Sequence, residues 1–390
     1  MIVVQNDVSD RTIVRYKEQI TRKWRKKVMK KRFVSVLMSV AMVVALTACS
    51  GGGGNEGDSK KGTDDAGEEK ILGAGIYSAS DNFNSYIGKA ISNACKGVFT
   101  TNIEDGQNDQ STQNNQVDTM LAKGASAVAV SVCDVTAAPS LIQKCKDAGD
   151  IPIIFFNKEI TDQDVINSYE NAYQVTSTGG DYGAKIQAEM IIDYWNAHPE
   201  MDKNGDGVLQ LVYLMGDPGH TAAQPRSEYL KKTIEEAGIK IEVLAEDTGM
   251  WVTANAKEKM DAWVSKYGDE IECCAAGNDA MALGALASVE AAGFNEDGES
   301  SSKYIPIYGI DALPEILSKI KSGEVTGSVL QDAKTQGQTI VKIAENLVNG
   351  KDVMDGIDGL EMEEGAKAVR VPYKAVTQEN LDEAEATYAE

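Results

Sequence analysis

The sequence predicts an α/β protein made of two doubly wound lobes, each with a parallel sheet that helices cover on both faces. Three observations support this fold class. Short apolar runs suited to buried strands alternate with helical stretches, and the same alternation begins again after about residue 180. The length of 390 residues is too great for one ordinary domain and suits two. Apolar residues make up 42% of the chain and charged residues 25%, which is typical of globular proteins.

The first series of strands and helices occupies residues 71 to 157. Its strands are predicted near 71–78, 98–104, 127–132 and 152–157, and its helices near 85–95, 111–123 and 138–148. The second series has strands near 209–216, 240–246, 272–277 and 305–310, with helices near 182–197, 226–237, 254–267, 280–292 and 315–321. Strands separated by helices imply right-handed crossovers, and therefore parallel sheets.

Charge and histidine content exclude several classes of function. The chain has 38 basic and 60 acidic residues, a formal net charge of −22. A nucleic-acid partner is excluded, because so acidic a chain has little to neutralise phosphates. His198 and His220 are the only two histidines, which argues against a histidine-rich metal site.

The first 48 residues differ from the rest of the chain. A basic run, 22–32, is followed by an apolar stretch, 33–48, which is short for a membrane span but typical of a signal peptide. The stretch ends in Thr47-Ala48-Cys49, which resembles a bacterial lipoprotein signal with lipidation at Cys49. An ordinary signal peptide with an incidental cysteine is the alternative, and translation could begin at Met1 or at Met29.

A polar, Gly-rich segment, 49–70, follows and is expected to be a flexible tether. We therefore expect an exported protein, lipid-anchored on the outer face of the cytoplasmic membrane or periplasmic. The other five cysteines are odd in number and scattered, so they are interpreted as structural thiols rather than a disulfide framework.

Polar and aromatic side chains follow successive predicted strands. Ligands of open parallel sheets bind at the carboxyl ends of the strands, so these side chains are candidates for one site. The set is Asp81, Phe83, Asn157, His220, Arg226, Trp251, Asn278 and Asp311. Carboxylates, amides and a guanidinium can each bond two adjacent hydroxyls, and aromatic faces suit the C–H faces of a sugar ring. The mixture therefore predicts a site for a neutral sugar.

Each of these residues also has a structural interpretation. Asp81, Asn278 and Asp311 could be helix N-caps, a common role of Asp and Asn before a helix. Phe83 and Trp251 could belong to the core; similarly, Arg226 could be a solvated helix residue and His220 a turn residue. Their joint position after successive strands favours the site.

A second motif follows the loop pattern of EF-hand calcium sites. Oxygen ligands fall at positions 1, 3 and 5, glycine at 6, a backbone carbonyl at 7 and a side chain at 9. These positions are Asp202, Asn204, Asp206, Gly207, Val208 and Gln210. Position 12 is Tyr213 instead of Glu, so a carboxylate from elsewhere must complete the sphere. A polar turn is the alternative, and a metal here would be structural rather than catalytic.

From about residue 70 to the C-terminus the chain resembles the periplasmic glucose/galactose-binding proteins of bacterial ABC uptake systems. The resemblance rests on the calcium loop and on motifs spread over the chain. Among these are Asp81-Asn-Phe83, Phe155-Phe-Asn157-Lys-Glu, Pro218-Gly-His220, Met250-Trp251, Asn278-Asp-Ala-Met, Gly309-Ile-Asp311-Ala-Leu-Pro-Glu and Val369-Arg-Val-Pro-Tyr. It implies a type I periplasmic binding protein with three hinge crossings. The implied lobes are 70–176 plus 331–368 and 177–330 plus 369–390.

The resemblance also implies roles for the candidate residues. Phe83 and Trp251 would stack on opposite faces of a monosaccharide, and the polar residues of the set would bond its hydroxyls. Gln331, which replaces the family's Asn, would join them. Glu272 would supply the missing carboxylate of a Ca²⁺ site. The implied partners are an ABC permease and its ATPase, and the protein itself would not be an enzyme.

Two departures from the family pattern affect the choice of sugar. The family's Pro-Gly-His-Pro-Asp becomes Pro218-Gly-His220-Thr221-Ala222, so a carboxylate is lost, and Gln331 is one methylene longer than Asn. A sugar hydroxyl left without a hydrogen-bond partner in a closed site costs about 1–3 kcal/mol of binding free energy. Glucose, galactose, a pentose and a sugar derivative therefore all stay open as ligands.

Three other functions remain alternatives to import. A sugar sensor for a chemoreceptor or a histidine kinase would have the same binding site. A sugar enzyme would need two suitably spaced carboxylates, if a glycosidase, or a nucleotide site, if a kinase. A sugar-responsive repressor shares the fold, but the export signal and the lack of a DNA-binding helix pair argue against it.

Overall fold

The alternating strands and helices form two separate main sheets. The structure is a computed structural model and describes residues 70–301 and 303–388. Cys49, the predicted signal and nearly all of the predicted tether lie outside these residues. The described strands are β1 (Ile71–Ile76), β2 (Thr100–Asp105), β3 (Ala127–Val130), β4 (Ile153–Phe156), β5 (Ala172–Ser177), β6 (Val208–Met215), β7 (Lys240–Thr248), β8 (Cys273–Ala276), β9 (Ile307–Tyr308), β10 (Ser328–Leu330), β11 (Met362–Glu363), β12 (Ala368–Val371) and β13 (Lys374–Val376).

The helices lie between these strands. They are α1 (Asn82–Ala94), α2 (Gln110–Ala122), α3 (Ala138–Asp147), α4 (Gln163–Asn167), α5 (Gly180–Ala197), α6 (Ala223–Glu236), α7 (Thr253–Tyr267), α8 (Asp279–Ala291), α9 (Pro314–Lys321), α10 (Ala333–Val348) and α11 (Leu381–Tyr388). Among the described residues, no helix is both long and apolar enough to cross a membrane.

The first sheet has the strand order β11-β12-β5-β4-β3-β1-β2. All neighbouring pairs are parallel except β11 and β12. Every residue of β3 and β4 is buried, which is expected of parallel strands covered on both faces. The order of the first five strands reverses between β1 and β3, and a crevice for a ligand forms at such a switch point.

The second sheet repeats this arrangement. Its order is β7-β6-β8-β9, and its three pairs are parallel. Single parallel bridges at Tyr308–Gly327 and Asp311–Leu330 continue it towards β10, which pairs antiparallel with β13. Two doubly wound parallel sheets are therefore present, and the predicted fold class is confirmed.

The chain passes between the two sheets three times. It leaves the first sheet after β5, returns after β10, and leaves again after β12 to form β13. The predicted lobe boundary at residue 369 falls within β12, whose four residues all pair with β5. Helix α10 returns against α1, where a Cβ at Gly337 would lie 2.6 Å from the Cβ of Ala90. Glycine at position 337 thus allows the close approach of these two helices.

The predicted structural thiols lie mostly in the cores. Cys95, Cys145, Cys273 and Cys274 are buried, Cys133 is half-buried, and all five are free. Burial raises the pKa of Cys95 to about 11 and that of Cys274 to about 12. Because these thiols stay protonated at neutral pH, they act as small apolar residues.

Candidate ligand-binding site

The carboxyl ends of both sheets line one cavity of about 260 Å³. Its lining residues are Asp81, Phe83, Asn157, His220, Arg226, Trp251, Asn278, Asp311 and Gln331. These are the nine residues selected from the sequence, so the structure brings all of them together. We call this space the ligand cavity.

The first sheet contributes a carboxylate, an aromatic ring and an amide. Asp81 caps α1, because its Oδ1 accepts the N–H of Asn84 at 2.9 Å, while its other oxygen accepts the hydroxyl of Tyr77. Asp81 is therefore a helix cap that also lines the ligand cavity. Phe83 is buried on α1, and Asn157 follows β4 with φ of +63°, a conformation that Asn tolerates better than most residues.

Trp251 lies across the ends of two strands of the second sheet. Its backbone is left-handed, with φ of +65°, and its side chain is 6% exposed. The ring fits because glycines end the neighbouring strands: a Cβ at Gly216 would lie 2.0 Å from the indole, and one at Gly277 would lie 3.2 Å from it. The buried Nε1–H of Trp251 has no partner in the described structure. Neither Gly216 nor Gly277 was among the predicted binding residues.

Arg226 is a buried guanidinium held by several acceptors. Its Nη1 donates to the carbonyl of Gly277 at 2.6 Å, and its Nη2 donates to Oε1 of Gln331 at 2.9 Å. The same Nη2 donates to the hydroxyl of Tyr373 at 3.1 Å. The Nε–H has no partner within the described residues. A buried unpaired donor costs about 1–3 kcal/mol, so a ligand oxygen at Nε would stabilise the site.

His220 is a neutral hydrogen-bond donor. Its Nδ1 accepts the N–H of Ala222 at 3.1 Å, which places the ring proton on Nε2. Burial, together with the cations of Lys158 and Arg226, holds the pKa of His220 well below its usual range. The ring meets that of Trp251 edge-on at 5.3 Å between centroids. His220 therefore keeps one fixed protonation state at neutral pH.

Asn278 and Asp311 differ in their second role. Asn278 caps α8 by accepting the N–H of Met281 at 3.0 Å, whereas α9 begins after Leu313, so Asp311 is not a cap. Asp311 has φ of +127° and is 2% exposed. Burial, and next the carboxylate of Asp279, raise the pKa of Asp311 well above its usual range. A buried carboxyl of this kind needs a hydrogen-bond partner, which a ligand hydroxyl would supply.

Asp279 lies beneath the ligand cavity and gives a prediction about pH. Its oxygens accept the Leu313 N–H at 2.8 Å and the Ser328 hydroxyl at 2.6 Å, and burial raises its pKa to about 7. A raised carboxyl pKa means that the folded state binds more protons than the unfolded one. The contribution of Asp279 to stability is therefore greatest below about pH 4 and is lost as pH rises towards 7.

We expect Asp279→Asn to flatten the fall of melting temperature between pH 4 and pH 7. The slope should decrease and not vanish, because the raised pKa of Asp311 acts in the same direction. Thermal melts at several pH values measure this, with the exposed Asp358→Asn as a control. An unchanged slope in the Asp279 variant would contradict the prediction.

The predicted calcium loop is closed by hydrogen bonds to its own side chains. Oxygens of Asp202 and Asn204 accept the N–H of Asp206 at 3.0 and 2.9 Å. The two oxygens of Glu272 accept the N–H groups of Lys203, at 2.7 Å, and of Gln210, at 3.0 Å. Glu272 therefore contacts the loop near both of its ends.

Two further observations bear on a metal at this loop. The buried Oε1 of Gln210 has no partner, and burial, opposed by two backbone hydrogen bonds, raises the pKa of Glu272. Among residues 70–301 and 303–388, however, no three His, Cys, Asp or Glu side chains are grouped so that they could hold a metal ion. The predicted ligands include amide and backbone oxygens, so the calcium site remains a prediction.

Three side chains that support the site were not among the predicted binding residues. The Tyr77 hydroxyl donates to Asp81, and the ammonium of Lys158 lies 3.9 Å from the Tyr77 ring centroid. Tyr373 contacts Arg226 and also donates to Gln331 at 3.3 Å. Only their positions in the sequence could have indicated these residues. Tyr77 follows the first strand, Lys158 follows Asn157, and Tyr373 is the last residue of the motif Val369-Arg-Val-Pro-Tyr.

Known proteins resemble this chain in sequence and in structure. Residues 74–352 match the family described as periplasmic binding protein domain. The chain is 41% identical over 313 residues to the D-galactose/methyl-galactoside binding periplasmic protein MglB of Haemophilus influenzae, covering 80% of this chain and 90% of that protein. It is 27% identical over 317 residues to a xylitol-binding protein of Mycolicibacterium smegmatis, covering 80% of this chain and 79% of that protein.

A crystal structure of an ABC transporter solute binding protein from Bacillus halodurans, with bound myo-inositol, superposes with a TM-score of 0.67. Sequence identity to that protein is 30%, with 84% of this chain and all of that chain covered. The fold and the ligand cavity thus define a protein that binds a ligand between two sheets.

This chain belongs to the periplasmic binding protein family, since the family match spans most of it. It is a substrate-binding protein of transporters with the type I fold, and not an enzyme. Membership of this family implies export to the periplasm.

Proposed function

We propose that this protein captures a monosaccharide of the glucose/galactose type between its two sheets and delivers it to an ABC importer. The observation that carries the proposal is the ligand cavity itself, in which aromatic rings face hydrogen-bonding side chains from both sheets. The 41% identity to a protein named for D-galactose and methyl-galactoside favours a galactose-like ligand.

The hydrogen-bonding groups of the ligand cavity suit a polyhydroxylated ring. Asp81 and Asp311 offer acceptors, whereas His220 Nε2–H and Arg226 Nε–H offer donors. Phe83 and Trp251 come from different sheets, so the proposed ring would lie between them. A site that pairs each hydroxyl rejects analogues that lack one, because its own buried groups would be left unpaired.

Closure follows from contacts to both sheets. A ligand that touches Asp81 and Asn157 on one side and Arg226 and Asp311 on the other has more contacts when the two sheets are close. It therefore shifts the population towards the closed form, with the three crossings as the hinge. The closed form would dock on the permease, whose ATPase partner drives import. Presentation of the bound sugar to a chemoreceptor or a histidine kinase is the alternative role.

Two further parts of the proposal lie outside the ligand cavity. Lipidation of Cys49 would hold the protein on the outer face of the cytoplasmic membrane. Ca²⁺ would bind at Asp202, Asn204, Asp206, Val208, Gln210 and Glu272. The orphan Oε1 of Gln210 and the buried carboxylate of Glu272 support a cation here, because its charge would offset the cost of burying that carboxylate.

Calorimetric titration of the purified protein with glucose, galactose, xylose and myo-inositol tests the ligand. We expect saturable binding of glucose or galactose. We also expect Asp311→Asn to weaken it by at least tenfold, since a carboxyl group presents two oxygens to ligand hydroxyl groups, whereas an amide presents one oxygen and an NH₂ group. No heat with any of the four compounds, from protein with a normal thermal melt, would refute a monosaccharide ligand of this type.

A further inference from the structure

A second, larger cavity lies beside the ligand cavity, at the crossings between the sheets. It has a volume of about 960 Å³ and reaches Ser177 at the end of β5, Gln331 after β10 and Tyr373 after β12. We call it the hinge-side cavity. Asn157, His220, Arg226 and Gln331 line both cavities. The two spaces are thus neighbours whose common wall consists of these four residues.

The lining of the hinge-side cavity is polar, and both of its carboxylates are paired with cations. Glu159 bonds Arg370 at 2.7 Å, and Asp181 bonds Lys185 at 3.0 Å. The remaining lining includes the hydroxyl groups of Thr161, Thr176 and Thr221. Because the two carboxylates have cationic partners, the cavity suits a neutral hydroxylated group better than an amine.

Position 222 helps to keep this space open. Ala222 lines the hinge-side cavity and not the ligand cavity. It lies directly against the first crossing, since a Cβ at Gly180 would be 2.9 Å from the Cα of Ala222. A side chain that ends at Cβ leaves empty the volume that a carboxylate at this position would fill.

We propose that the hinge-side cavity is a second subsite, which takes a neutral hydroxylated substituent on the sugar held in the ligand cavity. This inference rests on the proposed function and extends it. The substrate class is then glycosides whose second unit is another sugar ring, such as hexosyl disaccharides, in addition to free hexoses. The substituent would extend past the side chains of His220 and Arg226 and contact the threonine hydroxyl groups of the hinge-side cavity.

Competition between free and substituted sugars tests the subsite. The purified protein is titrated with galactose, glucose, melibiose, lactose and maltose. We expect at least one disaccharide to bind within tenfold of its parent hexose. Thr221→Phe and Thr161→Trp, which fill the hinge-side cavity from its rim, should weaken that disaccharide at least tenfold and leave the hexose unchanged. Thr161 is exposed, so its variant should fold normally.

The controls separate the possible results. Thr119→Trp, at an exposed position on α2 outside both cavities, should change neither affinity. Binding of a hexose without binding of any disaccharide would overturn the subsite while leaving the proposed function intact. The subsite would also be overturned if a disaccharide bound and neither Thr221→Phe nor Thr161→Trp weakened its binding. Failure of every sugar to bind would instead refute the proposed function on which the subsite depends.

Discussion

Replacing Trp251 by alanine should weaken sugar binding by about 100-fold, which corresponds to roughly 2.7 kcal/mol. The indole is held across the ends of β6 and β8 and lines the ligand cavity. Its removal takes away one apolar face for the sugar ring and leaves a void beside Arg226, whose guanidinium lies 5.6 Å from the indole centroid. Calorimetric titration with the best-binding sugar measures the loss.

Stability must be separated from affinity in this experiment. Trp251 belongs to a buried apolar cluster of the second sheet, and loss of a buried Trp costs about 3–5 kcal/mol of stability. Trp263 packs against the same cluster outside the ligand cavity, so Trp263→Ala is the matched control. The control should lower the melting temperature and keep the affinity. Unchanged affinity in folded Trp251→Ala would refute the stacking role.

Gly216→Ala tests the position of the Trp251 indole without removing the ring. The new Cβ would lie 2.0 Å from the ring, so the indole must move. We expect affinity to fall at least tenfold, because stacking depends on the position of the ring as well as on its presence.

Removal of calcium should lower the melting temperature by several degrees without abolishing sugar binding. A ligand present at 100 times its dissociation constant stabilises the folded state by about 2.7 kcal/mol, and that contribution disappears on chelation. The loop begins at Asp202 and is tied to β6 and β8 through Gln210 and Glu272, outside the ligand cavity. Melts in calcium and in excess chelator measure the difference.

Glu272→Gln should remove most of this response, since it replaces the carboxylate that we propose as the last calcium ligand. Its melt should differ little with and without calcium. Asp147→Asn, at an exposed position on α3, should keep the full response. An unchanged wild-type melt after verified metal removal would count against a calcium site at the loop.

Most of the fold followed from the alternation of apolar runs and helical stretches, yet β5 and the four strands from β10 to β13 were not predicted. Strand β5 carries Gln174, a buried polar residue that interrupts the apolar pattern. Its Oε1 accepts the Ile160 N–H at 2.8 Å, and its Nε2 donates to the carbonyl of Ala366 at 3.0 Å. These partners lie outside the strand, so the local sequence around Gln174 does not predict its hydrogen bonds. Strands β11 and β13 have only two and three residues, and their pairing is likewise tertiary.

The candidate site was predictable where its residues follow strands, because topology fixes where strand ends meet. The partners that hold the site together were harder to predict. Arg226 contacts Tyr373 and Gln331, which come from two different crossings. The hinge-side cavity likewise depends on how three separate crossings pack, and no single segment encodes it.

The pairing of β12 with β5 also affects when this protein can fold. Ala368 lies opposite Gln174, so the second sheet lies between the two partners in sequence. Such non-local pairing must wait for a long loop to close, which slows folding. The first sheet therefore cannot be completed until nearly the whole chain has been synthesised. The folding of the first sheet thus depends on segments from both ends of the described chain, so neither segment alone can complete it.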